Sequence, residues 1–71
     1  MNNAVIKAIK IVGGQSALAK ICGATQPTVN QWKNGGKMDV RYVAKIIQAT
    51  NGAVTAQELR PDVEWSAINQ Q

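Results

Sequence analysis

Histidine is absent from this 71-residue chain, and cysteine occurs once, at Cys22. A lone thiol cannot close an internal disulfide, and without imidazole it cannot build a tetrahedral zinc site. The four acids, Asp39, Glu58, Asp62 and Glu64, are scattered and have no imidazole to work with. No nucleophile–base or acid–base pair is therefore visible. These absences predict no catalytic residue, no metal, no cofactor and no small-molecule ligand. Two tryptophans, one tyrosine and no phenylalanine leave too few rings for the stacking platforms of single-strand or RNA readers. No apolar run approaches the roughly 20 residues of a membrane span. Met1-Asn2-Asn3 lacks the charged and apolar regions of a signal peptide. An unpaired cysteine without an export signal points to the reducing cytoplasm.

What is present fits a single domain over residues 1–71, with 45% hydrophobic residues. A chain this short leaves much of its surface in water. With disulfides and metals excluded, oligomerisation is the remaining common source of extra stability. The net charge of +4 is unevenly spread. Residues 1–45 hold seven lysines and arginines against Asp39 alone, a balance of +6, whereas residues 46–71 hold Arg60 against three acids, a balance of −2. A basic body with an acidic end suits a polyanion on one face.

Periodicity predicts an all-α fold of five short helices. In Asn3–Val12, Val5, Ala8, Ile9 and Val12 form one apolar stripe, Asn2 or Asn3 caps the start, and Gly13-Gly14 ends it. A second helix spans Ser16–Cys22, with Leu18, Ile21 and Cys22 as its apolar face and Gly23 after it. Thr25 caps a third helix that carries Pro27 in its first turn, buries Val29 and Trp32, and stops at Asn34-Gly35-Gly36. Asp39 caps a fourth helix from Val40 to about Thr50, with Val40, Val43, Ile46 or Ile47 and Thr50 inward. Thr55-Ala56-Gln57-Glu58 matches a capping box ahead of a single turn that buries Leu59 and ends before Pro61. In the tail, Val63 and Trp65 are expected against the body and Asn69-Gln70-Gln71 to fray.

The second helix, its turn and the third helix carry the functional signal, over residues 15–34. A helix-turn-helix needs a small residue where the helices touch, a glycine four residues later, and apolar anchors six and nine residues beyond it. Ala19, Gly23, Val29 and Trp32 occupy those places. One face of the third helix is then free of core duty, and it carries Gln26, Asn30 and Gln31, with Thr25, Thr28 and Lys33 at its margins. Gln and Asn pair with adenine N6 and N7, and Thr meets a thymine methyl or a phosphate. Gln26 and Asn30 are therefore the first candidates to read bases, with Gln31 and Thr28 second. Gln15, beside Ser16 at the start of the second helix, is placed to donate to a phosphate. Thr25, Lys33, Lys37 and Arg41 complete the candidate phosphate contacts. Trp32 and Trp65 are expected as core or interface plugs, Cys22 as a buried inert thiol, and Tyr42 can pack or meet a phosphate.

The string QSALAKICGATQPTVNQWKN at residues 15–34 resembles the helix-turn-helix of the Cro repressors of lambdoid phages and of the related YdaS-type regulators of prophages. Gly13-Gly14 and the stretch from Glu58 to Trp65 extend the likeness over nearly the whole chain. The resemblance implies a compact lambda-repressor-like domain with a short C-terminal tail. It further implies a transcriptional repressor in the cytoplasm of a bacterial host, binding two-fold operators on double-stranded DNA as a homodimer. The family's base-reading slots fall on Gln26, Pro27, Asn30 and Gln31, and its backbone-contacting slot on Gln15. Pro27 departs from a polar reader and offers only apolar contact. Some Cro proteins end in β-strands that make the dimer, but the C-terminal half here reads as helical.

A second reading is an antitoxin-like interaction module of a prophage toxin–antitoxin operon, which the YdaS resemblance permits. Such a module normally carries a longer tail to wrap its partner, and ten residues follow Pro61. That balance favours the DNA binder. Half-site recognition by one small helix rarely suffices, so two copies spaced about one DNA turn apart are expected, with the dimer made by helix four or the Leu59–Trp65 segment.

Overall fold

The computed structural model describes residues 2–65. Among them the chain forms five α-helices and no strand: α1 (Asn3–Val12), α2 (Gln15–Cys22), α3 (Gln26–Lys33), α4 (Val40–Ala49) and α5 (Ala56–Leu59). Side chains set most of the starts. Asn2 Oδ1 accepts from the amides of Ala4 and Val5, and Asp39 Oδ1 accepts from that of Arg41. Thr55 and Glu58 satisfy each other's backbone amides at 3.2 and 2.9 Å, a complete capping box. Left-handed glycines set two of the ends, with φ of 100° at Gly13 and 69° at Gly23.

One core joins all five helices. Val5, Ala8, Leu18, Ala19, Cys22, Val29, Trp32, Val43, Ile46 and Leu59 meet there, with Ile9, Val12, Tyr42 and Trp65 packed around them. Fully burying each larger aliphatic side chain contributes about 1.5–3 kcal/mol, against which the ordering of the chain must be set. Thr50, the one buried polar residue of the described core, donates its hydroxyl proton to the Ile46 carbonyl at 2.9 Å. Arg60 leaves helical geometry ahead of Pro61, and the Trp65 indole donates to its carbonyl at 2.7 Å. The expected packing of Trp65 on the body is thus observed, and Val63 is half-buried. The fraying expected of Asn69-Gln70-Gln71 lies outside the described residues.

Three expectations need correcting. Helix α2 starts at Gln15, one residue before the expected Ser16. Ile21, expected inward, is 42% exposed, because Leu18, Ala19 and Cys22 centre the buried face and successive residues turn by about 100°. Val40, also expected inward, is 46% exposed: it lies in the first turn of α4, about a quarter-turn from the stripe of Val43, Ile46 and Thr50. In their place Met38 and Val54, both in connections, are fully buried.

Candidate nucleic-acid interface

The turn between α2 and α3 is three residues, Gly23-Ala24-Thr25. Gly23 takes the left-handed conformation that lets the Ala24 amide reach back to the Ala19 carbonyl at 2.8 Å. Thr25 is extended and accepts from the Thr28 amide at 3.4 Å, and its hydroxyl lies 2.9 Å from that of Thr28. Pro27 follows within the first turn, where its missing N–H costs nothing. Val29 and Trp32 then point inward and are buried, with the Trp32 ring 5.1 Å from that of Tyr42 at a 42° tilt. Ala19, against which they close, is buried as well.

That lock commits one side of α3 to the core and turns the other to water. Gln26, Pro27, Asn30 and Gln31 are exposed, as is Thr25, while Thr28 is half-buried. Gln26 and Asn30 sit about one turn apart, so both face one approach. Gln15, half-buried at the head of α2, donates from Nε2 to Asn30 Oδ1 at 3.4 Å. The residue expected on a phosphate is thus also beside a residue expected on a base. Ser16 is exposed in the first turn of α2, whose N-cap is Gly14 and offers no side-chain acceptor to the amides there.

The flanking cations are less uniform. Lys33 is half-buried in the last turn of α3. Gly36 folds the following loop back onto α3: its amide lies 2.7 Å from the Gln31 carbonyl, and a Cβ there would stand 2.8 Å from the same oxygen. Lys37, the next residue, is exposed and lies 3.5 Å from the Asp62 carboxylate. Arg41 is 3.7 Å from Asp39 and sits over the Tyr42 ring at 5.3 Å. Tyr42 is therefore partly packed and partly a platform for that guanidinium.

Asp62 and Arg60 join this region unannounced by the motif. Arg60 grips both oxygens of Asp62, at 2.9 and 2.8 Å, and donates to the Met38 carbonyl in the loop after α3. The Arg60 hydrogen bonds hold the Asp62 carboxyl well below the usual carboxylate range, and Lys37 acts in the same direction. Pro61 is the available sequence signal, because it ends the helix at Arg60 and opens a turn over residues 61–62, closed by the Val63 amide on the Arg60 carbonyl at 3.3 Å. Cys22 is buried as expected, and desolvation pushes its thiol pKa up, which disfavours the reactive thiolate.

A family described as "Bacterial toxin YdaS" matches residues 5–68. The chain belongs to the YdaS family. Over 63 residues it is 43% identical to the Escherichia coli (strain K12) protein named "Putative transcriptional regulator YdaS", an alignment covering 87% of this chain and 64% of that protein. The chain therefore spans just under two thirds of that relative's length. A solved structure, "the Cro protein from putative prophage element Xfaso 1 in Xylella fastidiosa strain Ann-1", superposes with a TM-score of 0.77 at 41% identity. That match covers 89% of this chain and 95% of the other. The helical helix-turn-helix architecture is thus common to this YdaS family member and a prophage Cro protein.

Proposed function

We propose that this protein is a sequence-specific double-stranded DNA-binding regulator of transcription, acting as a Cro-type repressor. One observation carries the reading. The inner side of α3 is consumed by Val29 and Trp32, which leaves Gln26, Asn30 and Gln31 outward on a helix whose turn and partner have helix-turn-helix spacing. Amides of this kind match the donor and acceptor pattern of base edges in the major groove. The net charge of +4 and the uncapped start of α2 suit phosphates on either side. The names of the E. coli relative and of the Xylella protein support the same assignment.

In this reading Gln26 and Asn30 read bases, Gln31 and Thr28 assist, and Pro27 offers apolar contact. Gln15, Ser16, Thr25, Lys33 and Arg41 hold the backbone. Two copies bind a two-fold site, because one short helix reads too few base pairs for useful selectivity. Affinity selection from random duplexes, followed by sequencing, tests this directly. A symmetric consensus with half-sites about one helical turn apart supports the dimeric regulator. Absence of any enrichment sinks it and favours a module that acts on a protein partner, the other reading the toxin description of the family leaves open.

A further inference from the structure

We propose that Asp62 is a built-in counterion that occupies Lys37 in the free protein and restrains its grip on nucleic-acid phosphate. The inference rests on the DNA-binding reading above and adds a residue that the helix-turn-helix motif does not contain. Three observations carry it.

The first is placement. Lys37 follows Gly36, whose amide is bound to the Gln31 carbonyl, so this lysine stands just past the C-terminal end of α3, where it can flank a duplex that α3 engages. The second is asymmetry. Lys37 has a side chain 74% exposed and is tied to Asp62 by a single 3.5 Å approach. Asp62, by contrast, is held by the two-pronged grip of Arg60, whose own side chain is only 16% exposed and is anchored on the Met38 carbonyl. The Trp65 indole fixes the same segment through the Arg60 carbonyl. The carboxylate is thus a fixed charge that stays where it is whether or not Lys37 is near, while the lysine is the mobile partner. The third is the weakness of exposed ion pairs, which lets a phosphate compete for the lysine but not remove the carboxylate. A phosphate drawn to Lys37 meets that negative charge a few ångströms away, and the repulsion cancels much of the gain.

Lys37 therefore adds little to binding while Asp62 is in place, and adds a full phosphate contact once the carboxylate is neutralised. Binding of the purified chain to a random-sequence duplex, measured across a range of salt, separates this from a purely structural role. Asp62→Asn keeps the shape and an acceptor for Arg60. It should tighten random-duplex binding about two- to fivefold and steepen the slope of log affinity against log salt by about 0.9, the ion release of one further phosphate. Lys37→Ala should abolish the gain in the Asp62→Asn background. Persistence of the gain in the double variant reduces the effect to net charge and overturns the proposal. Unchanged or weaker binding by a well-folded Asp62→Asn overturns it too. So does a loss of slope near 0.9 on Lys37→Ala alone, a measurement that leaves Asp62 untouched. No binding by the wild type to any duplex overturns the DNA reading itself and this inference with it; binding with unaltered slopes overturns only the latter.

Discussion

At the scale of single residues, the contact between Gln15 and Asn30 changes what each is expected to do. A hydrogen bond to Asn30 Oδ1 orients that amide and, in the proposed DNA-binding mode, leaves its N–H donors for an acceptor on a base edge. Gln15→Ala and Asn30→Ala should therefore relax base choice at the same operator position, and the double variant should lose little more than either alone. Quantitative binding to single-base operator variants reads this out. A uniform loss across sequences for Gln15→Ala would return it to phosphate contact alone. Gly36 is a second decisive residue. An alanine methyl would stand 2.8 Å from the Gln31 backbone oxygen, with no flexible side chain to yield. Gly36→Ala should destabilise the fold by about 1–3 kcal/mol, the usual cost of overpacking, seen as a lower urea midpoint at constant slope. An unshifted midpoint would show that the loop opens without penalty.

At the scale of elements, the segment after α5 behaves as a strap held by charge. The folded-state pKa of Asp62 lies below its unfolded value of about 3.9. The folded form thus binds the proton less readily, and the bond to Arg60 stabilises the fold at all pH values above about 4. Stability should fall as pH drops below that point, and Asp62→Asn should flatten the decline; a melting temperature followed by circular dichroism from neutral pH into acid checks both. A wild-type profile that stays level through acid would contradict the strap.

The elements were also where the chain was most legible. Asn2, Thr25, Asp39 and Thr55 cap as their types require, because a cap needs only residues within one turn of each other. Helical spacing located the interior through Val5, Leu18, Val29 and Val43, yet it misplaced Ile21 and Val40, which sit at the margins of their stripes. Met38 and Val54 were not legible at all: each lies in a connection, where no periodicity marks a buried side. The outward face of α3 followed from spacing alone. The pairing of Lys37 with Asp62 did not, since it joins residues 25 positions apart through a backbone path that only the fold defines.

For the molecule as a whole, the described body has extents of 33 × 22 × 19 Å. Two recognition helices on one face of a duplex must lie about 34 Å apart, close to the long dimension of one copy. The proposal of a dimer on DNA predicts a complex of two chains per symmetric operator, measured by light scattering or native mass spectrometry. A single chain per operator at saturating protein would refute it.

Cys22 closes the end of α2 inside the core, is the one thiol of the chain, and has its ionisation suppressed by burial. An alkylating reagent has neither access nor a thiolate to attack until the domain opens. Labelling in excess reagent therefore counts opening events without any introduced probe. Retardation of that clock by an oligonucleotide would report how strongly the duplex holds the two helices together.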